Sequence, residues 1–131
     1  MILKEHTDVL VVGAGPVGLF TALLLSRRGL AVQIIDEEWR PGAHSYALAL
    51  HPHSLKLLEA AGLTSALLEI GRPISAVNFY TGAERVARLD YRQLSTGYPF
   101  ILTVPQNTLE ELLERQLKAA GRHVHWEHRL A

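Results

Sequence analysis

The sequence predicts an α/β fold built on a parallel βαβ unit, followed by a small antiparallel insertion. Three observations carry this expectation. Asp8 to Asp36, DVLVVGAGPVGLFTALLLSRRGLAVQIID, reads as strand, glycine-rich turn, helix, strand and then a carboxylate. From Ser75 to Val104 the apolar pattern shortens into strands punctuated by Thr81-Gly82-Ala83. Pro105 to Gly121 then shows a long amphipathic helical period leading into His123–His128, which is expected to be a third parallel strand beside the second.

Met1 to Thr7 is a short polar lead-in. Val9 to Val12 is a continuous apolar run, as expected of a strand buried on both faces of a parallel sheet. Leu19, Ala22, Leu23 and Leu25 give the following helix its apolar stripe, and Gly29 stands where a C-terminal glycine belongs. Val32 to Ile35 is the second buried strand. Glu37 to Gly42 is a loop closed by the Pro41-Gly42 turn, and His44 to Leu50 is a semi-apolar approach.

A helix is expected from His53 or Ser54 through Ala61, with Ser54 as N-cap, Leu55, Leu57, Leu58 and Ala61 inward, and Gly62 as its stop. Leu63 to Ile70 forms a shorter helix with Thr64 near its start. Ser75–Tyr80 and Glu84–Asp90 are paired strands, with Val77, Phe79, Val86 and Leu89 as the candidate inward residues. Gln93 to Gly97 is loop and Phe100 to Val104 another strand. In the last helix, Asn107 with Glu110, or Thr108 with Glu111, has capping-box spacing, while Leu109, Leu112, Leu113, Gln116, Leu117 and Ala120 trace one face. Val124 and Trp126 are on the core side of the final strand.

The 131 residues suffice for one domain with a core, and a composition 48% apolar and 20% charged is that of a globular protein. Thirteen basic and thirteen acidic residues cancel, so charge argues for neither nucleic acid nor a membrane surface as partner. The absence of cysteine removes disulfides, thiolate metal sites and a cysteine nucleophile, and suits a reducing cytoplasm. Val9 to Ser26 carries no charge and could pass for a membrane span or, behind Lys4, a signal peptide, but Gly13, Gly15, Pro16 and Gly18 interrupt it.

The chemistry is concentrated at the glycines. Gly13, Gly15 and Gly18 form a G-x-G-x-x-G at a strand-to-helix joint, with Asp36 at the spacing of a ribose-binding acid. Gly13 permits the tight turn, Gly15 lets the backbone approach a pyrophosphate, and Gly18 allows close helix–strand packing. The free N–H groups and macrodipole of the helix start favour phosphate, and Pro16 gives up an N–H that has no intrahelical partner. Asp36 can accept hydrogen bonds from the two hydroxyls of an adenosine ribose. The competing reading is a βαβ unit that packs with a glycine turn and binds nothing.

Other constellations are weaker. His51 with His53, and His123 with His125, share an i, i+2 spacing, but zinc needs three or four converging ligands, so no metal site is expected. Ser45 and Ser54 lack a nucleophile elbow. Arg27-Arg28 complement the dipole at a helix end, and Glu110, Glu111 and Glu114 with Arg115 and Lys118 read as a solvated helix face. Trp39 and Trp126 read as packing residues.

Three stretches in this order, DVLVVGAGPVGLFTALLLSRRG, VQIIDEEWRPGAHSYALALHPHSLKLLEAAGL and VPQNTLEELLERQLKAAG, resemble the N-terminal part of the p-hydroxybenzoate hydroxylase-like, single-component FAD-dependent aromatic hydroxylases. The resemblance covers essentially the whole chain. It implies a Rossmann-like FAD-binding domain, incomplete here, with residues about 73–104 belonging to a substrate-side sheet. It implies FAD as cofactor, with Gly13, Gly15, Pro16, Val17 and Gly18 at the pyrophosphate, Asp36 at the ribose, Glu37 beside the adenine, Gln106 on the flavin side and Leu130 where the chain passes the adenine. The family commonly has Ser-Arg-Ala where this chain has Ser45-Tyr46-Ala47, so Tyr46 replaces a positive charge, and often has arginine at the place of His53.

The activity implied is NAD(P)H-dependent hydroxylation of a small aromatic or polyketide-like molecule in the cytoplasm. The family's later flavin motifs lie beyond these residues, so none of the 131 is expected to be catalytic and the chain alone is expected to be inactive. A non-catalytic dinucleotide-binding module and a related flavin reductase or oxidase are the alternatives, and self-association through exposed apolar surface is a further expectation.

Overall fold

Short apolar runs bounded by glycines set the element order of this chain. The computed structural model describes residues 6–39 and 46–131. In chain order the elements are β1 (Val9–Val12), α1 (Pro16–Arg27), β2 (Val32–Ile35), β3 (Ala47–Leu50), α2 (Pro52–Ala60), α3 (Thr64–Ile70), β4 (Arg72–Ile74), β5 (Ala76–Thr81), β6 (Glu84–Asp90), β7 (Ile101–Pro105), α4 (Gln106–Ala119) and β8 (Val124–His125), with a 3-10 turn at Tyr91–Gln93. The Pro41-Gly42 turn, Arg40, His44, Ser45 and the first five residues of the lead-in lie outside the described residues. The chain divides into two compact units, one of residues up to Tyr46 with Gln106–Ala131, the other Ala47–Pro105.

The first unit is the parallel βαβ core. Its sheet has the order β1-β2-β8, with Val9 opposite Val32, Val12 opposite Ile35, and Ile34 opposite Val124, all parallel. The expected third parallel strand therefore lies beside the second. It is shorter than its apolar pattern suggested, because the chain turns at Trp126 and Glu127, where Glu127 takes a φ of 58°. Leu19, Ala22 and Leu23 of α1, with Leu109, Leu113 and Leu117 of α4, are buried with Val32, Ile34, Ile35 and Val124. Each such valine, leucine or isoleucine contributes about 1.5–3 kcal/mol over leaving it in water.

Helix α1 ends where expected. Gly29 has φ 86°, its N–H bonds to Ser26 O at 3.0 Å, and the Leu30 N–H reaches Leu25 O, a pairing that satisfies carbonyls left open by the last turn. The ends of β1 and β2 are tied by Asp8, whose carboxylate accepts the Ala31 N–H at 2.7 Å. One expectation fails. Strand β1 is not buried on both faces: Leu10 is 42% and Val12 57% exposed, because successive side chains alternate between faces and, among the described residues, only the face toward α1 is covered.

Helix α4 also departs from expectation at its start. It begins at Gln106, which puts Asn107 and Thr108 inside the first turn rather than at a cap. Asn107 Oδ1 accepts the neighbouring Thr108 N–H, and the Glu110 carboxylate accepts from Gln106 Nε2 at 2.8 Å, so neither residue pair closes a capping box. Glu110 is buried instead of lying on a solvated face, while Glu114 and Lys118 pair at 2.9 Å one turn apart on that face as expected. The helix ends before Ala120, which is exposed rather than inward.

In the second unit, β3, β7 and β4 form an antiparallel sheet in that order, and β5 pairs with β6 as a separate hairpin turning at Gly82-Ala83. Strands β3 and β4 were not foreseen: each is only three or four residues long and exists through its pairing with β7. Leu55, Leu58, Ala61, Leu63, Leu67, Ile101, Leu102 and Val104 make the core, and the buried Thr64 hydroxyl donates to Leu55 O at 2.7 Å.

Helix α2 starts at Pro52 with His51 as its N-cap, so Ser54 lies within the first turn and caps nothing. Pro52 supplies the start itself, its φ suited to the first helical position. Leu57, expected inward, is half exposed, since it sits off the Leu55–Leu58 face. In the hairpin, Phe79, Val86 and Leu89 are also exposed, because β5 and β6 pair only with each other among the described residues. The segment after β6 opens with the 3-10 turn, in which Asp90 accepts the Arg92 N–H at 3.1 Å, before the irregular stretch to Gly97.

Candidate functional site

The residues with binding chemistry gather at the C-terminal end of the parallel sheet. Strand β1 runs into Gly13, whose φ of 101° is open to glycine and strained for other residues. Its N–H bonds to Ile35 O at 2.8 Å, which holds the turn over the end of β2. Helix α1 starts immediately after, with Gly15 as N-cap, Pro16 at the first position, no side-chain cap and no acidic residue in the first turn. The Leu19 N–H is the first to find an intrahelical partner, Gly15 O at 2.9 Å, so the Val17 and Gly18 amides face the helix start without one. That end carries the positive pole of the helix.

The glycines divide by what surrounds them. A Cβ built on Gly18 falls 1.9 Å from Gly13 O, so this position is closed by backbone. A Cβ on Gly15 or Gly13 meets nothing within 4 Å, so these positions border open space. Tight packing beneath and bare backbone above is the kind of arrangement a pyrophosphate cradle would need.

Asp36 follows β2 and is half-buried. Its Oδ2 accepts the Ala14 N–H at 2.6 Å and its Oδ1 accepts the Glu38 N–H at 2.9 Å. Its own N–H bonds to His125 O at 3.1 Å and its carbonyl accepts the His128 N–H at 2.9 Å. The Glu127 N–H donates to Glu38 O at 2.9 Å, so the segment after β8 is stitched to the segment after β2.

Two grooves flank the glycine turn. One, of about 430 Å³, is lined by Val12, Gly13, Asp36, Glu37, His128, Arg129 and Leu130. The other, of about 460 Å³, is lined by Val11, Val12, Gly13, Gly15, Pro16, Val17, Gly18 and Thr21. The sequence-predicted Gly13, Gly15, Pro16, Val17, Gly18, Asp36, Glu37 and Leu130 are thus brought together. Gln106 lines neither groove. It opens α4, its N–H bonded to Tyr46 O at 2.7 Å and its side-chain amide donating to Glu110. Tyr46 is largely exposed.

Val11, Val12, Thr21, His128 and Arg129 line the grooves without being marked by the sequence pattern. Arg129 sits 3.8 Å from Glu37 across the mouth of the first groove, and His128 Nδ1 lies 2.6 Å from Trp126 O. Only the pairing of β8 with β2 carries them to the glycines. Among the described residues, no three histidine, aspartate or glutamate side chains converge as a metal site would need, and no helix is long and apolar enough to cross a membrane.

Comparison with known proteins meets this geometry from another side. Residues 6–131 match the family described as FAD binding domain. The 6-methylpretetramide 4-monooxygenase of Streptomyces rimosus is 39% identical over 124 residues, which are 93% of this chain and 22% of that protein. The pentachlorophenol 4-monooxygenase of Sphingobium chlorophenolicum is 35% identical over 114 residues, 85% of this chain and 21% of that protein. The crystal structure of p-nitrophenol 4-monooxygenase PnpA from Pseudomonas putida DLL-E4 superposes with a TM-score of 0.85 at 28% identity, covering 92% of this chain and 31% of that one. The chain spans about a fifth of the length of the curated relatives.

Proposed function

The chain belongs to the FAD-binding domain family, and from that premise we propose that it is the adenosine-diphosphate-holding part of an NAD(P)H-dependent flavin monooxygenase hydroxylating an aromatic or polyketide-like molecule. The observation that carries the reading is the cradle: bare backbone at Gly13 and Gly15, a helix start with no acid in its first turn, and Asp36 at the adjoining strand end. FAD fits that donor set. The Val17 and Gly18 amides would meet the pyrophosphate. The remaining lone pairs of Asp36 would accept the ribose hydroxyls, and Glu37 and Leu130 would border the adenine.

Bound FAD supplies electron transfer from NAD(P)H and activation of O₂. The residues of this chain bind and orient. Gln106 is proposed on the flavin side, and residues 73–104 as part of the sheet facing the substrate, a place that suits the exposed apolar Phe79, Val86 and Leu89 of the hairpin. Cytoplasmic location is proposed from the need for NAD(P)H. The named substrates of the relatives, a pretetramide, pentachlorophenol and p-nitrophenol, motivate the aromatic and polyketide class.

The test is isothermal titration of the purified chain with FAD and with ADP. A yellow protein whose FAD is displaced by ADP supports the reading. A colourless protein that binds ADP but not FAD favours a dinucleotide module without flavin chemistry. Binding of neither ligand overturns both.

A further inference from the structure

We propose that Asp36 is a latch that holds the glycine turn in its phosphate-ready shape, in addition to any bond it makes to a ribose. The proposal deepens the reading of the site as a holder of ADP and rests on it where ligand affinity is concerned. The Gly13 N–H bond to Ile35 O ties the start of the turn to the end of β2, and the carboxylate adds a second tie further along both segments. Oδ2 takes the Ala14 N–H, in the middle of the turn between Gly13 and Gly15, and Oδ1 takes the Glu38 N–H, two residues further along.

Ala14 is itself buried and its amide has this carboxylate as partner, so loss of the acceptor strands a buried N–H. The Gly13 N–H bond to Ile35 O anchors only the start of the turn; beyond it the peptides of Ala14 and Gly15, flanked by residues that lack a Cβ, are free to rotate once the latch is gone. The turn would then sample shapes that cannot cradle a pyrophosphate, and apparent affinity falls by the fraction of time spent in them.

The chemistry separates the latch from a ribose contact. Both oxygens accept N–H donors, so an amide at this position must turn its NH₂ against one of two backbone N–H groups. Asn could still exchange hydrogen bonds with sugar hydroxyls, which both donate and accept. A ribose-only role therefore predicts that Asp36→Asn is mild. The latch predicts that it is severe, and severe for ligands that have no ribose hydroxyls at all.

The experiment titrates wild type and Asp36→Asn with ADP and with 2′,3′-dideoxyadenosine diphosphate. The latch predicts that the substitution weakens both ligands by a similar factor, on the order of tenfold or more, the scale of a lost hydrogen bond to a charged group. An unchanged affinity for the dideoxy ligand, with a loss confined to ADP, overturns it. Failure of the wild type to bind ADP would count against the functional reading and leave the latch to a second, ligand-free measurement. That measurement is nuclear magnetic resonance on the wild-type chain, reading the coupling across the hydrogen bond from the Ala14 N–H to the Asp36 carboxyl carbon, together with exchange of the Ala14 amide. A resolved coupling and slow exchange support the latch. An Ala14 amide exchanging as fast as an exposed one overturns it, whether or not the Asn variant folds.

Discussion

Gly18→Ala is the sharpest test of how the site is built. A Cβ at this position would lie 1.9 Å from the Gly13 carbonyl oxygen and 3.0 Å from its carbon. Ordinary contact begins near 3.4 Å, so the start of α1 and the glycine turn must part by more than 1 Å. The obstacle is backbone, pinned by the Gly13 N–H to Ile35 O bond, and no side-chain rotation relieves it. Overpacking of this kind costs about 3 kcal/mol at the upper end of the usual range. Alanine returns about 1 kcal/mol through its better helix propensity. The net expectation is a loss of about 2 kcal/mol. With an unfolding entropy of ~2.1 cal/mol/K per residue, that is a melting temperature lower by roughly 7 °C.

Gly15→Ala is the internal control. Its φ of −71° suits alanine and its Cβ meets nothing, so the loss of about 0.5–1 kcal/mol from alanine in place of glycine at an N-cap is largely offset by the similar gain from a less flexible unfolded chain, and stability changes little, while ADP binding falls because the methyl group projects into the cradle. Urea unfolding and ADP titration of both variants decide the matter. A Gly18→Ala protein as stable as wild type would refute the close packing on which the cradle depends.

Other perturbations test other links. Glu127→Gly should raise stability by about 0.5–1 kcal/mol, because φ 58° is strained for glutamate and free for glycine; a lower urea midpoint would contradict it. Thr64→Val should cost about 1 kcal/mol by removing the buried hydroxyl bond to Leu55 O, and Thr64→Ser should retain most of it, as read by urea denaturation. The Asp90 carboxyl is held well below its usual 3.8 by hydrogen bonds from the Arg92 side chain, and Asp8 below the same value chiefly by the Ala31 N–H. In both, the folded chain stays ionised while the unfolded chain takes up a proton near that value. Their stabilisation is therefore present above about pH 4 and lost as pH falls below it. Urea midpoints measured downward from pH 5 should drop more steeply for wild type than for Asp90→Asn or Asp8→Asn, and equal slopes would sink the assignment.

What could be read from the chain was local. The turn at Gly13, the helix from Pro16 and its stop at Gly29 follow from backbone demands that glycine and proline meet within a few residues, and they stand where the sequence placed them. The parallel direction of the strands followed too, because a helix between two apolar strands carries the chain back to the end where the first strand began. Burial was less legible. The apolar run of β1 looks the same whether one face or both are covered, and only the layers packed on it decide that Leu10 and Val12 are exposed. Glu110 reads as a surface charge until α4 is seated and its partner proves to be Gln106. Strands β3 and β4 are too short to announce themselves and depend on β7, about 30 to 55 residues further on.

The site shows the same division. The sequence alone determined that bare backbone and a carboxylate would meet at the end of a parallel sheet, since spacing and glycine sterics are properties of the chain. Only the tertiary structure decided what that carboxylate does. Asp36 reaches Ala14, twenty-two residues away, because β1 and β2 pair in register, and hydrogen bonds across that distance have no signature in sequence order.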